Sequence, residues 1–238
     1  NYRLNIFWIN VRSFNKLMIS TQQAIDHLRP YLTDNRWDLM HDILRQRTRF
    51  LTVITEELYR EHNANALLRS CECFGLQEMH VVDNINEFSI HRDMSRGAAK
   101  WVEINKHTNV RQCIKGLRNR GYRIAAAHPE ADYTPQTLPL DRPLAIMLGT
   151  EWHGLSETAF ELADTRVKIP MYGFTKSLNV SVSCAVLLQQ LNHRLRSQNP
   201  SLWQLTSEDF LEILLDWTKK SVKHSGPLLK ELAKEEVS

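Results

Sequence analysis

Three stretches of the sequence combine glycine or asparagine with other polar residues where predicted strands end. One spans residues 149–154 (GTEWHG), another spans residues 170–179 (PMYGFTKSLN), and the third contains Asn63 and Arg69. Glycine lets a backbone approach a ligand closely, and Asn63 is a natural N-cap for a helix. Each stretch alone is also compatible with an ordinary turn, and Arg69 with a surface arginine. Together they predict a ligand site built from strand-end loops.

The common catalytic and phosphate-binding motifs are absent from the sequence. It contains no G-x-x-x-x-G-K-S/T, no G-x-G-x-x-G after the first predicted strand, no H-E-x-x-H and no G-x-S-x-G. Cys71 and Cys73 lack a second pair of ligands, so we expect no zinc site there and both thiols packed in the core. The site is therefore expected to work without a phosphate loop and without a metal.

Strands and helices that alternate along the sequence must position the three polar stretches. Short apolar, β-branched runs predict strands at 50–55, 79–82, 122–127, 144–148 and 167–169. Three- and four-residue apolar spacing predicts helices at 21–46 with a break near Pro30, and at 63–74, 109–120, 156–163 and 178–195. Strands that alternate with helices predict an α/β fold with a mainly parallel sheet, whose ligands bind at the carboxyl ends of the strands.

Composition limits the class of protein. The chain has 238 residues, of which 42% are hydrophobic and 24% charged, with a net charge of +3. No apolar run approaches the roughly 20 residues of a membrane helix, and four cysteines form no disulfide framework. We therefore expect a cytoplasmic protein with no membrane contact. The mild positive charge leaves nucleic acid open as a partner.

Taken in order, the three stretches resemble the SPOUT class of RNA methyltransferases, specifically its TrmH-like 2′-O-methyltransferases. The matching pieces are Asn63, Arg69 and Gly75, then GTEWHG at 149–154, then IPM at 169–171 followed by SLNVS at 177–181. The resemblance implies a parallel sheet flanked by helices, with a deep trefoil knot in its C-terminal half. It also implies S-adenosylmethionine as cofactor, bound in the knot. It further implies a homodimer with the knotted region at the interface and the catalytic arginine near the partner chain's site.

The resemblance implies roles for individual residues. Arg69 is the central catalytic residue, helped by Asn63, and Glu151 orders the active-site loop. Ser177 and Asn179 contact the cofactor or the target ribose. The residues expected to bind the cofactor are Gly149, Thr150, Ile169, Met171, Ser177 and Leu178. A general-base role fits poorly with the high pKa of arginine. The alternatives are that Arg69 grips a phosphate and stabilises the developing alkoxide, or that it loses its proton only in a strongly perturbed site.

The likeness is greatest to the members that act on guanosine 18 of transfer RNA. Residues 214–229 are similar to the C-terminal helical extension of those enzymes. In that extension, phosphates of the RNA would be contacted by Lys219, Lys220 and Lys223. The alternative is that the helix only packs on the domain or on a partner subunit, through Phe210, Leu214 and Trp217. The alternatives are an enzyme that methylates ribosomal RNA and a knotted RNA-binding protein without activity.

The predicted organisation has four segments. Residues 1–19 are a possible upstream extension, since Met18 is a plausible natural start. Residues 20–48 form a helical segment, residues 49–196 the methyltransferase domain, and residues 197–238 a helical C-terminal extension.

Overall fold

A computed structural model describes residues 19–57, 61–83, 97–150 and 153–235 of the chain. These residues belong to two compact units. One is Arg47–Gln204, and the other combines both ends of the chain, Asn1–Gln46 and Leu205–Ser238. The helical segments predicted at the two ends fall largely in the second unit, and the domain boundaries stay predictions. Most of the predicted upstream extension, up to Met18, lies outside the described residues.

Six strands form a single sheet in which every pair of neighbours is parallel. Its order is β3-β2-β1-β5-β4-β6. Val53 in the central strand pairs with Met79 on one side and Ile146 on the other. The predicted α/β fold with a parallel sheet is confirmed, whereas the trefoil knot stays a prediction. The strands are β1 Leu51–Glu56, β2 Glu78–Val82, β3 Glu103–His107, β4 Arg123–Ala127, β5 Leu144–Leu148 and β6 Thr165–Val167.

Helices cover both faces of the sheet, which explains why the central strands β1 and β5 are buried along their whole length. One core cluster joins Leu51 and Val53 to α3 and α6, and another joins Ile54 to α4 and α5. The helices of the described ranges are α1 Thr21–Leu28, α2 Asp34–Leu44, α3 Glu61–Cys73, α4 Val110–Asn119, α5 Glu157–Glu161, α6 Val180–Arg196, α7 Pro200–Trp203, α8 Ser207–Ser221 and α9 Ser225–Glu235.

Three local expectations differ from the structure. β3 was not predicted, because its residues EINKH are mostly polar and this edge strand is only half-buried. β6 ends at Val167 rather than beginning there, so Ile169 lies in the loop that follows it. Cys71 packs in the core as expected, whereas Cys73 is exposed, because the two residues lie two positions apart on α3 and face different sides.

The helical unit is built around α1. Ser20 caps it, since its hydroxyl accepts from the Gln23 amide at 3.1 Å while the Gln23 side chain accepts from the Ser20 amide at 2.8 Å. α1 packs on α8 and α9, and α2 packs on α8. Leu214 and Trp217 of α8 are buried, so this helix is docked through its apolar face. Within the described ranges, no helix combines the length and apolar character that a membrane crossing requires.

A buried carboxylate ties the amino ends of the strands together. Glu78 accepts from Arg49 at 3.0 Å, from Arg120 at 2.7 Å and from the Tyr122 hydroxyl at 3.0 Å, and Arg49 also binds Glu103 at 2.7 Å. Burial by itself raises the pKa of Glu78, but the contacts with His80 and Arg120 outweigh it and lower this pKa to about 2. Glu78 is therefore ionised, and Arg49 and Arg120 balance its negative charge.

We predict that Glu78→Gln destabilises the sheet by about 3 kcal/mol. The substitution leaves two arginines without their shared carboxylate, and both are partly exposed, so the cost falls at the low end of that for breaking a buried pair. Urea unfolding of the wild type and the variant measures this loss in the free energy of unfolding. Asp141→Asn, which removes the exposed partner of Arg123, serves as the control and should cost much less. Equal losses in the two variants would contradict this account.

Candidate functional site

A cavity of about 360 Å³ lies at the carboxyl ends of β4, β5 and β6. Because the strands are parallel, the loops that leave these three ends meet at one edge of the sheet. Helix α6 closes the cavity with Val180, Ser183 and Leu187. Its volume is at the lower end of the range typical for sites that bind small molecules and cofactors.

The six residues expected to hold the cofactor all line this cavity. They come from two loops, one after β5 and the other between β6 and α6. They are Gly149, Thr150, Ile169, Met171, Ser177 and Leu178. The structure therefore brings together residues that the sequence separates by almost thirty positions, and their role in binding stays a prediction.

The loop after β5 folds back on itself at a point where only glycine fits. The Thr150 amide donates to the Gly154 carbonyl at 2.9 Å, and the Gly154 amide donates to Thr150 at 3.0 Å. A Cβ on Gly149 would lie 2.1 Å from the Gly154 carbonyl carbon and oxygen, and Gly154 itself has a φ of 67°. Glu151, predicted to order this loop, lies outside the described residues.

Glu56 fastens the same loop to the neighbouring strand. It lies at the carboxyl end of β1 and is buried, and its carboxylate accepts from the Ser156 amide at 2.8 Å and from the Ser156 hydroxyl at 2.7 Å. Ser156 in turn caps α5 by accepting from the Ala159 amide. Both ends of the loop are thus fixed, one by β5 and the other by β1. Glu56 was not predicted, because an acidic residue at a strand end has no distinctive pattern.

Asn179 joins the second loop to helix α3. It is the N-cap of α6 and accepts from the Ser181 amide at 2.9 Å, while its side-chain amide donates to Asn63 at 3.3 Å. Asn63 is buried and lies on the first turn of α3. Two of the five predicted catalytic residues are therefore in direct contact, and Ser177 lines the cavity two positions before Asn179.

Arg69 lies apart from this group. Six residues of helix separate it from Asn63 by about 9 Å along the axis and by about 120° around it, so the two side chains leave α3 in different directions. Arg69 is exposed and does not line the cavity. The structure of one chain does not bring Arg69 to the predicted cofactor site.

Several lining residues were not predicted. His128 and Pro129 follow β4, and Lys168 and Lys176 belong to the loop between β6 and α6. The position of β4 in a parallel sheet could have indicated the first two, but the segment after β4 has no glycine to mark it. Among the described lining residues, none is acidic. Apolar walls, exposed backbone groups and two lysines suit a ligand that carries an anionic group on a largely uncharged body.

Comparisons with known proteins agree with this architecture. The model of the SpoU rRNA methylase family matches residues 50–189. A Borreliella burgdorferi protein named tRNA (guanosine(18)-2′-O)-methyltransferase is 35% identical over 179 residues, which are 74% of this chain and 82% of that protein. A Thermus thermophilus protein of the same name is 34% identical over 197 residues, 79% of this chain and 98% of that protein.

A solved structure matches most of the chain. The crystal structure of the Aquifex aeolicus TrmH/SpoU tRNA modifying enzyme is 28% identical and has a TM-score of 0.72. The match covers 80% of this chain and 98% of that one. It extends well beyond the 140 or so residues of the family model, so the similarity includes elements outside the sheet.

We predict that Gly149→Ala distorts the cavity and lowers the thermal unfolding midpoint. The added methyl group would meet backbone atoms of Gly154 and Leu155 that cannot move without breaking the loop's own hydrogen bonds. The matched control is Gly173→Ala, where an added Cβ meets nothing within 4 Å. Calorimetry of both variants measures the effect. An unchanged midpoint for Gly149→Ala would show that the loop is looser than its contacts indicate.

Proposed function

The chain belongs to the SpoU rRNA methylase family, and from this premise we propose that it methylates the ribose 2′-hydroxyl of guanosine 18 in transfer RNA. The observation that carries the proposal is the cavity lined by both family loops at the carboxyl ends of the strands. Its relatives at 34% and 35% identity are named for this nucleotide. We place the reaction in the cytoplasm, where transfer RNA is matured.

The cavity suits S-adenosylmethionine. Loops that expose backbone groups, with Gly149 held against Gly154, can recognise an adenine without a phosphate nest. Lys168 and Lys176 are placed to bind a carboxylate, and Met171, Leu178 and other apolar side chains can cover the uncharged parts. When bound, this cofactor supplies a methyl group that its sulfonium already activates, so the chain has to position the ribose and stabilise charge.

Arg69 is the residue proposed to act on the RNA. Its planar guanidinium offers several donors at once, which suits a phosphate and the negative charge that develops on the 2′-oxygen as its proton leaves. Asn179 and Ser177 lie at the cavity beside Asn63, where they can orient the ribose. We assign Arg69 to charge stabilisation because arginine keeps its proton in proteins.

A second copy of the chain would bring Arg69 to a cavity. Arg69 is exposed and does not reach the cavity of its own chain, which fits the proposal that it serves the partner's site in a homodimer. The loop between β6 and α6 and the first turns of α6 also expose apolar side chains, as an interface would. They are Tyr172, Phe174, Leu178 and Val182.

Ribosomal RNA is the second candidate substrate. The family model is named for rRNA methylases, but the named relatives that span most of this chain act on transfer RNA. A protein that only binds RNA would have no need of Asn63, Arg69, Ser177 and Asn179 together.

The proposal is tested with labelled S-adenosylmethionine and three RNAs. We expect methyl transfer to an unmodified tRNA transcript and none to the same tRNA assembled with 2′-deoxyguanosine at position 18, which lacks the acceptor oxygen. Purified ribosomal RNA is the third substrate. Equal labelling of the two tRNAs would exclude guanosine 18 as the methylated nucleotide. Labelling of ribosomal RNA alone would favour ribosomal RNA as the substrate.

We predict that Arg69→Ala lowers the rate of methyl transfer by at least about 100-fold, the usual cost of removing a group that stabilises transition-state charge. Arg69→Lys should also fail, because one ammonium cannot replace a planar fork of donors. Affinity for S-adenosylmethionine, measured by calorimetry, should stay unchanged. Arg111→Ala on α4, at the other face of the sheet, is the control.

Heterodimers of two different variants test whether Arg69 acts in the site of its own chain or in that of its partner. An Arg69→Ala chain and a Gly149→Ala chain, each inactive alone, form a heterodimer that has one intact cavity. If Arg69 serves the partner's site, the intact cavity receives a normal Arg69 and activity returns. If it serves its own site, no complete site exists in the mixture. Activity that stays absent in verified heterodimers would therefore contradict the proposal.

We predict that the cluster of Lys219, Lys220 and Lys223 contributes only about one phosphate contact. In the helical unit's described residues, acidic side chains slightly outnumber Lys and Arg. Lys219 is half-buried, which lowers its pKa, and Lys220 pairs with Asp216 at 2.6 Å. Replacing all three with Gln should change the salt dependence of tRNA binding by about 1 in slope. An unchanged slope would remove the cluster from the RNA footprint.

A further inference from the structure

Three metal-binding side chains converge on the face of the sheet that lies under α4, away from the cavity. His80 lies in β2, His107 ends β3, and Cys113 belongs to α4. One ligand atom from each lies within 4.8 Å of the others, and Nδ1 of His80 is 3.0 Å from Nε2 of His107. The proposed methyl transfer uses none of them, and their arrangement needs an explanation of its own.

The backbone fixes all three residues without help from a ligand. His107 is paired with Val82 in the parallel ladder, two positions from His80, so the two imidazoles lie on the same face of adjacent strands. Asn109 caps α4 by accepting from the Arg111 amide at 2.8 Å, which sets the first turn and places Cys113 above the strands. His80 and Cys113 are buried and His107 is half-buried.

We propose that His80, His107 and Cys113 bind a zinc ion that fastens the edge strand β3 to β2 and α4. Two imidazoles and a thiolate are typical zinc ligands, and water can complete the tetrahedron. With zinc–nitrogen bonds of about 2.0–2.1 Å, the two nitrogens of a tetrahedral site are about 3.3 Å apart. The observed 3.0 Å requires only a small movement of one ring.

The surroundings of His80 support this assignment. Its second ring nitrogen, Nε2, is buried and has no hydrogen-bond partner in the described part of the chain, yet it lies 3.7 Å from Oε1 of Glu78. Histidines that bind metals usually present their other nitrogen to a carboxylate, which fixes the tautomer and raises the basicity of the ligand. Glu78 already occupies that position.

The Cys113 thiol must lose its proton to bind zinc, because the thiolate is the form that ligates a metal. When zinc binds, the sulfur–hydrogen bond of Cys113 is exchanged for a zinc–sulfur bond, and the proton passes to the solvent.

Cobalt, which takes the same ligands as zinc and is coloured, tests the site in the full-length protein. After treatment with a chelator, we expect one Co²⁺ per chain, with a thiolate-to-cobalt charge-transfer band that one equivalent of Zn²⁺ abolishes. Cys113→Ser should lose the band, and His107→Gln should weaken Co²⁺ binding at least 10-fold. Cys73→Ser, which removes the exposed thiol, should keep both the charge-transfer band and the affinity for Co²⁺. A band that survives Cys113→Ser or disappears in Cys73→Ser would overturn the proposal.

Thermal unfolding gives a second readout that does not depend on methyl transfer. Zn²⁺ should raise the unfolding midpoint of the wild-type chain and of Cys73→Ser, because a ligand bound only to the folded state stabilises it. It should not raise that of His107→Gln, whose half-buried side chain is the easiest of the three to replace without loss of folding. Equal shifts in the wild type and in His107→Gln would also overturn the proposal.

Discussion

The cavity depends on the parallel direction of the strands, which gathers the carboxyl ends of β4, β5 and β6 at one edge of the sheet. Helices cover both faces, so this edge is where loops can enclose a ligand without giving up core packing. The amino ends of the strands carry the ionised Glu78 and its arginines, which tie the strands together. Stability and ligand binding are thereby assigned to opposite ends of the strands.

Within that edge, the close approach of two backbones sets the shape of the cavity. Gly149 lies against Gly154 because it has no side chain, and Glu56 holds the end of the same loop through Ser156. Such a loop offers amides and carbonyls rather than charges. This is the chemistry that a nucleoside without phosphates requires, and it explains how a cofactor site can exist without a glycine-rich phosphate loop.

The sequence predicts those parts of the molecule whose signals are local. Buried strands such as β1 and β5 are short apolar runs, and the two loops of the cavity carry recognisable motifs. β3 escaped prediction because an edge strand needs no apolar pattern. Glu56 and Ser156 are a hundred positions apart and meet only through strand order. For the same reason no spacing rule reveals His80, His107 and Cys113, which come together through the register of β2 and β3.

Arg69 is exposed on α3 and does not line the cavity of its own chain. A helix places residues six apart on different sides, so α3 can bury Asn63 beside Asn179 only by directing Arg69 elsewhere. If Arg69 is catalytic, the helix that completes one cavity must also serve another, and the site exists only in an assembly. In such a design an isolated chain can bind the cofactor but cannot transfer its methyl group, so activity depends on association as well as on folding.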